Sequence, residues 1–342
     1  MQSSNYSNRF KNALQLELNK VIDYKINSIY EKYSVHIASC PVCDSQEHKV
    51  YLVKDYFVHM KCKKCNFIFL NPRLNENATF SFYNSEVNEI YNEKKFNSFQ
   101  YDTLDDTLNL ENFERLKCHV INIPGKKLLE IGPGKGTFLK KAAEVGFDVH
   151  AIELNVNLIE RLKKITEKIY EHDIAELNLP DNYFDVIYFR DVMEHIPNIK
   201  IFMNNITRIL KPGGIVFIDT HNIESYINKI TKEYHTVIFA FEHPVHWSPK
   251  TLKLAGENSG LKWVKTYFDD IDFSMRNIIN YYLYPSFTYI NPPKTNIISK
   301  ILLISLSYFL RIPGISYIDR HISRKIALRM ERGAKMMLVF NK

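Results

Sequence analysis

The sequence is poor in cysteine and lacks any long apolar run. Only five of its 342 residues are cysteines, and four of these lie between positions 40 and 65. The first twenty residues lack the apolar stretch of a signal peptide, and no segment is long and apolar enough to predict a membrane-spanning helix. We therefore expect a cytoplasmic protein in a reducing compartment, where clustered thiols serve as metal ligands more often than as disulfides.

Composition excludes little by itself. Hydrophobic residues make up 45% and charged residues 24% of the chain, as in an ordinary globular protein with a core. The net charge of +7 would suit nucleic-acid binding, but the cysteine-rich segment mixes acidic with basic residues and no basic stripe follows it. Nucleic acid is therefore not the expected partner. An RNA-modifying enzyme that grips RNA with this segment stays an alternative.

Two C-x-x-C pairs account for the clustered cysteines: Cys40 with Cys43, and Cys62 with Cys65. Each pair places two sulfurs on one tight turn, and the strand-forming residues between the pairs bring the second turn opposite the first, as tetrahedral zinc requires. We predict a structural zinc site in a zinc-ribbon-like module over residues 37–75; a redox pair or two unrelated turns is the alternative. Cys118 ends a helical pattern and is expected to be a packed thiol.

A glycine turn follows a buried strand in KLLEIGPGKGTFL, residues 127–139. Its glycines are Gly132, Gly134 and Gly136, whereas a dinucleotide-binding fingerprint would place the third glycine at position 137, where Thr137 stands. The tighter turn lets backbone amides approach a ligand closely without forming a pyrophosphate cradle. The turn therefore indicates a ligand site, although not a dinucleotide site.

Further strands alternate with helices downstream of this turn. FDVHAIELN predicts a strand that ends in Glu153, where an acid can accept hydrogen bonds from both hydroxyls of a ribose, and Asp173 follows the next strand, placed to meet an adenine amino group. FDVIYFRDVMEHI predicts a fourth strand, and a fifth follows LKPGG. This alternation predicts an α/β fold with a parallel sheet that binds ligands at the carboxyl ends of its strands.

In this order, EIGPGKG, the acid at 153, DIAEL, FDVIYFRDVMEHI and LKPGG resemble the class I S-adenosylmethionine-dependent methyltransferases over residues 111–270. The resemblance implies a Rossmann-like seven-stranded sheet over residues 111–342, with an insert at 271–332 before the closing strand. It also implies the cofactor contacts: Glu130, Gly132, Gly134 and Gly136 around the methionine part, Glu153 at the ribose, Asp173 and Ile174 at the adenine, and Arg190 and Asp191 facing the methyl group and the acceptor.

One branch of that family shares more of the chain. Cysteine pairs followed by an FLNPR segment and a methyltransferase domain are similar to bacterial enzymes of sugar and surface-polysaccharide pathways. Sugar C-methyltransferases carry a Tyr-x-Glu-His segment, of which this chain keeps Glu242 and His243 but has Ala240 in place of the tyrosine. We therefore predict methylation of a hydroxyl of a sugar or related small molecule. C-methylation is an alternative, and so is a binding module without activity.

The catalytic base is predicted in FEHPVHW. Histidine suits proton removal near neutral pH, and two histidines stand three residues apart. We assign the base to His243 and the orientation of the acceptor to His246, with Trp247 beside it to stack on the acceptor. Asp191 and His195 are the next candidates for the base. In the alternative, both histidines of FEHPVHW only pack or cap a helix.

The remaining segments bear less directly on function. Residues 1–36 predict an N-terminal amphipathic helix, and residues 76–110 a linker or helical cap. Within the insert, residues 297–332 join the apolar IISKILLISLSYFL to a basic helix. This segment predicts a lid over the site, a homodimer contact or a peripheral contact with the inner face of a membrane.

Overall fold

The computed structural model describes residues 34–83, 85–90, 99–120, 125–269, 273–283 and 297–342, together with Arg9, residues 12–17 and Asn19. Residues 12–17 are helical, and Leu14 is buried in a small apolar cluster with Phe82. Most of the helix that the sequence predicts over residues 1–36 lies outside the described residues.

The cysteine-rich segment forms a hairpin with short flanking strands. Its strands are β1 (Ser34–Val35), β2 (His48–Lys54), β3 (Phe57–Cys62), β4 (Ile68–Leu70) and β5 (Arg73–Leu74). Strand β3 pairs antiparallel with β2 on one side and β4 on the other, and β1 pairs with β5. Helices α1 (Glu76–Tyr83) and α2 (Phe99–Val120) then lead to the main domain.

The main domain is built on a seven-stranded sheet. Its strands are β6 (Lys127–Ile131), β7 (Asp148–Ile152), β8 (Ile169–Tyr170), β9 (Phe184–Arg190), β10 (Leu210–His221), β12 (Lys262–Asp269) and β13 (Lys335–Asn341), in the order β12-β13-β10-β9-β6-β7-β8. Strand β13 runs antiparallel to both of its neighbours, β12 and β10, and the other pairs are parallel. The prediction of a Rossmann-like α/β sheet with an insert before the closing strand is confirmed.

Helices alternate with these strands or lie in the insert before the last one. They are α3 (Thr137–Glu144), α4 (Val156–Leu162), α5 (Ile199–Ile209), α6 (Tyr226–Thr231) and α7 (Pro249–Asn258), followed in the insert by α8 (Met275–Leu283), α9 (Ile297–Phe309) and α10 (Pro313–Arg329). Helix α5 buries Phe202, Met203 and Ile206. The Pro-Gly-Gly stop expected before the fifth strand lies within β10, where the pairing shifts between Leu210 and Ile215.

The cysteine-rich hairpin and the main domain share one sheet and one core. Strand β11 (Val245–His246) pairs with β4 and completes a four-stranded sheet, β11-β4-β3-β2. Trp247 follows it and is buried against Phe67, with ring centroids 4.7 Å apart, and its Nε1 donates to the Met193 carbonyl at 3.0 Å. The expected stacking of Trp247 on an acceptor is therefore wrong, because this ring belongs to the core.

Two further expectations concern Cys118 and membrane-spanning helices. Cys118 is exposed, so the prediction of a packed thiol is wrong. In the part of the chain that the structure describes, no single helix is long and apolar enough to cross a membrane. One pair of helices, Ile298–Phe309 and Pro313–Arg329, meets that criterion jointly, but the two are bent by 98° at the break between them.

Candidate functional site

The glycine turn sits at the carboxyl end of β6 with a backbone that suits only glycine. Gly132, Gly134 and Gly136 have φ of +66°, +56° and +79°, a region that residues with a Cβ rarely adopt. A Cβ on Gly136 would lie 2.7 Å from side-chain atoms of Leu162 and Ile165, whereas a Cβ on Gly134 would meet no described atom within 4 Å. The turn is therefore open at Gly134, and a ligand can approach the backbone there.

Two buried acids stand beside this turn. Oε1 of Glu153, just after β7, accepts from the backbone N–H groups of Leu154 and Asn155 at 2.9 Å each. Burial raises the pKa of Glu153, and those backbone hydrogen bonds oppose the rise. A carboxylate offers about four acceptor positions, so Glu153 retains capacity for ribose hydroxyls.

Glu130 carries the clearest sign of a missing partner. It is buried in β6, and its Oε2 has no hydrogen-bond partner among the described residues. Burial, followed by the charge of Glu153, raises the pKa of Glu130 well above its usual value. A buried acceptor without a partner costs free energy, on the order of 1–3 kcal/mol. Its position beside the open glycine turn fits a ligand that brings a polar group.

The adenine-side residues lie on the turn after β8. Asp173 is exposed, and its Oδ1 accepts from the Ala175 backbone at 2.8 Å, while Ile174 is buried in the core. Glu130, the glycine turn, Glu153 and this segment therefore follow the carboxyl ends of three adjacent strands. These residues fit the ribose, adenine and methionine parts that the resemblance implies, and their assignment as cofactor contacts stays a prediction.

A charged group lies where β9 and β10 end side by side. Asp191 follows Arg190 with φ of +54°, a strained conformation for a residue other than glycine, and forms an ion pair with Lys335 from the start of β13. Burial alone would raise the pKa of Asp191, but neighbouring positive charges, first that of Lys335, hold it well below its usual range. Asp191 is therefore ionised and already paired, which makes it a poor candidate for a base.

Glu194 and His221 form a carboxylate–histidine dyad next to that pair. Nδ1 of His221, the last residue of β10, donates to Glu194 Oε1 at 2.7 Å, and Thr220 Oγ1 donates to Glu194 Oε2 at 2.8 Å. Burial raises the pKa of Glu194, but the lowering effects, of which the hydrogen bond from His221 is the largest, together bring the pKa down to about 2. An ionised Glu194 fixes the His221 tautomer with a lone pair on Nε2, and 29% of the His221 side chain is exposed.

His195 and His243 complete this group of side chains. Nδ1 of His195 donates to the Glu242 carbonyl and Nδ1 of His243 to the Val237 carbonyl, both at 2.9 Å. The two rings lie 4.9 Å apart, and the His243 ring lies 5.7 Å from that of His221. Burial, and then the neighbouring His195, lower the pKa of His243 to about 4. His243 is therefore uncharged and deeply placed, which makes it a weak base.

His246 faces the cysteine-rich hairpin. It is buried, and its Nε2 shares a hydrogen bond with Nδ1 of His59 in β3 at 3.1 Å. Lys54 of β2 donates from Nζ to the Ile238 carbonyl at 2.6 Å. The hairpin thus holds residues 237–246, the segment that carries His243, from two positions. These contacts favour the packing alternative for His246 over a role in orienting the acceptor.

The four cysteine sulfurs converge as a zinc site needs. Sγ of Cys40 lies 3.6 Å from that of Cys65, Sγ of Cys43 lies 3.6 Å from that of Cys62, and all four lie within 4.8 Å of one another. Four sulfurs each about 2.3 Å from a tetrahedral zinc would stand about 3.8 Å apart. The cluster is therefore compatible with structural zinc and leaves no protein-free coordination position for chemistry.

We expect about one zinc per chain in the purified protein. Cys62→Ser should release the metal and lower the melting temperature, because metal binding and local folding are coupled. The control is Cys118→Ser, which removes an exposed thiol outside the cluster and should change neither quantity. Metal analysis and thermal unfolding provide the measurements. Stoichiometric iron, or zinc content unaffected by Cys62→Ser, would contradict the assignment.

Comparison with known proteins gives a consistent result for the main domain. Residues 100–266 match a family model described as a methyltransferase domain. A ubiquinone biosynthesis O-methyltransferase of Rickettsia bellii is 33% identical over 143 residues, 40% of this chain and 57% of that protein. A phosphoethanolamine N-methyltransferase 2 of Caenorhabditis elegans is 35% identical over 116 residues, 32% of this chain and 26% of that protein.

A solved structure of an S-adenosylmethionine-dependent methyltransferase from Archaeoglobus fulgidus aligns with 68% of this chain over 94% of its own length. The identity is 18% and the TM-score 0.44. The chain spans little more than half the length of the Rickettsia enzymes that it matches, 57% and 55% in two of them.

Proposed function

We propose that the chain, whose residues 100–266 match a methyltransferase-domain family model, transfers a methyl group from S-adenosylmethionine to a hydroxyl of a small-molecule acceptor. The observation that carries this proposal is the arrangement at one edge of the sheet. An open glycine turn with an unpaired buried acid lies at the end of β6, and the Glu194–His221 dyad lies near the ends of the adjacent β9 and β10. The first half suits a cofactor and the second suits an acceptor.

The cofactor half needs only binding and orientation from the protein. When bound, S-adenosylmethionine supplies a methyl group on a sulfonium that its positive charge already activates. Glu153 would hold the ribose, and the glycine turn with Glu130 would hold the methionine part. Asp191 and Arg190, at the end of the neighbouring strand β9, would face the reacting end. Such positioning accounts for much of the rate gain in a displacement reaction.

The acceptor half supplies a base. A hydroxyl must lose a proton as its oxygen attacks. Because Nδ1 of His221 is hydrogen-bonded to Glu194, the lone pair on Nε2 of His221 is available to take that proton. The ionised Glu194 then stabilises the positive charge that His221 gains, as the carboxylate does in other carboxylate–histidine pairs. We propose His221 as the base, with His243 and His195 lining the acceptor side.

The acceptor that we propose is a sugar or a related small molecule. This choice rests on the cysteine pairs, the FLNPR segment and the Glu242–His243 pair of the sequence, whereas the relatives named above act by their names in ubiquinone biosynthesis and on phosphoethanolamine. Ala240 at the position of a tyrosine favours oxygen over carbon as the methylated atom. We also propose that residues 297–332 contact a membrane surface peripherally.

Cofactor binding tests the first half of the proposal. Glu153→Ala should weaken S-adenosylmethionine binding by about 1.5–3 kcal/mol, the usual contribution of hydrogen bonds to a charged group. Glu160→Ala is the control, because Glu160 is an exposed acid of the neighbouring helix α4 whose carboxylate pairs with the exposed Lys163 at 2.5 Å. Isothermal calorimetry measures both affinities. Equal loss in the two variants, or binding of NAD in place of S-adenosylmethionine, would refute the site.

A further inference from the structure

Helices α9 and α10 of the insert expose the residues that a globular protein usually buries. Of the 27 large apolar side chains that are exposed in the described part of the chain, 12 lie between Ile298 and Met330. In α9, Ile298 and Leu302 are 68% and 66% exposed, whereas Ser307 is buried. Such a concentration of exposed apolar surface marks an interaction site rather than ordinary surface.

In helix α10 the usual pattern of buried apolar and exposed polar residues is reversed. Ile318, Ile322 and Ile326 recur every four residues and form one stripe along the helix, which Met330 continues just after the helix ends, and all four are exposed. The buried residues of the same helix are the small Ser316 and Ala327. The sequence has therefore placed its apolar stripe on the side that faces away from the protein. We name the exposed apolar side of α9 and α10 the outer face.

The inner side of the two helices is already satisfied by the protein. Leu310, between the helices, packs with Ile279 and Leu283 of α8. Asp319 accepts from the backbone N–H groups of Met275 and Arg276 at 2.9 and 3.1 Å, which ties α10 to the start of α8. Helices α9 and α10 are therefore fixed on the domain through their inner side. The outer face is not needed for packing against the rest of the chain.

The charges around the outer face are almost all positive. Six basic side chains of the segment are exposed: Lys300, Arg311, Arg320, Arg324, Lys325 and Arg329. Of the acids, Asp319 caps α8 and only Glu331 is exposed. Apolar residues combined with exposed cations are typical of helices that lie in the plane of a membrane surface and meet anionic head groups.

We infer that the outer face docks on an anionic lipid bilayer, with α9 and α10 lying in its interface. This inference names the surface and the lipid chemistry of the membrane contact proposed above and does not depend on methyl transfer. Charge decides between the bilayer and a second copy of the chain. A two-fold dimer through this face would bring two sets of six cations together, which is unfavourable, whereas anionic head groups neutralise them.

The position of the outer face links it to the candidate site. After α10 ends, Arg332 donates to Glu224 at 2.6 Å, and the Ala334 carbonyl accepts from the Asn222 backbone at 2.9 Å. Lys335 then pairs with Asp191 in the site. The outer face is thus joined to the candidate site by a short, well-anchored segment of the chain.

Vesicle flotation with the full-length protein tests the inference. We expect binding to phosphatidylcholine vesicles that contain about a quarter phosphatidylglycerol, weaker binding as salt rises, and little binding to phosphatidylcholine alone. The double variant Ile318→Ser, Ile322→Ser should lower binding at least about tenfold, because two side chains lose their transfer from water. Its control is Val50→Ser, Val53→Ser, which changes two valines of β2 that are 57% and 54% exposed.

S-adenosylmethionine affinity, measured in parallel, should be unchanged in both double variants and shows that they remain folded. A wild-type protein that binds neither vesicle, or a loss of binding equal in the Val50/Val53 control, overturns the inference. Light scattering then tests whether a second copy of the chain covers the outer face instead. A mass that doubles with concentration and returns to monomer in Ile318→Ser, Ile322→Ser would assign the outer face to a second copy instead.

Discussion

Gly134→Val should abolish detectable S-adenosylmethionine binding in a chain that still folds. A Cβ at this position would meet no described atom within 4 Å, so the first atom of the added side chain has room on the protein side. It would occupy the open side of the turn, where the cofactor has to approach the backbone. Gly136 cannot serve for this test, because a Cβ there would lie 2.7 Å from Leu162 and Ile165 and would disturb the fold directly.

Backbone strain is the competing explanation, and the chain offers a control for it. Gly134 has φ of +56°, so valine there carries a strain on the order of 1–3 kcal/mol whether or not a ligand binds. Gly213 has φ of +78°, also has open space around its Cβ position, and lies in the irregular start of β10, far along the strand from the carboxyl edge. Gly213→Val should lower the melting temperature similarly and leave calorimetric binding intact. Equal loss of binding in both variants would point to strain alone.

The fold could be predicted from the sequence because its signals are local. Central strands such as β9 are short apolar runs, core-facing helices such as α5 repeat their apolar residues every three or four positions, and the glycine turn is a contiguous segment. The cysteine site was predictable for the same reason, since its two turns are each set by one C-x-x-C pair. Asp44 and Asn66, one after each pair, adopt the positive φ of 58° and 67° that closes these turns.

The acceptor side could not be predicted in the same way, because it is assembled from distant segments. His221 ends a strand that looks purely structural, and only folding places it 2.7 Å from Glu194. Lys335 opens the last strand, 144 residues after its partner Asp191. His246 looked like a site residue because it neighbours His243, but β-strand alternation and the pairing of β11 with β4 direct it to His59. Proximity in sequence was a poor guide here.

The largest kinetic effect should come from His221. We expect His221→Ala to lower turnover by about 10²–10⁴-fold, the usual contribution of a general base, with S-adenosylmethionine affinity unchanged. Glu194→Gln should lower turnover too, since a neutral amide no longer stabilises a positive His221. Single-turnover methyl transfer, with cofactor affinity measured by calorimetry, separates chemistry from binding.

His243→Ala is the companion variant that decides between the two histidines. His243 is buried and donates from Nδ1 to the Val237 carbonyl, and its pKa is lowered to about 4. Since a base acts only in its uncharged form, a reaction dependent on His243 would keep its rate as pH falls from 7 and lose it only near pH 4. A loss in His221→Ala that is much greater than the loss in His243→Ala supports the dyad. The reverse pattern, with the large loss in His243→Ala and a flat rate down to about pH 5, would return the base to the position that the FEHPVHW segment indicates.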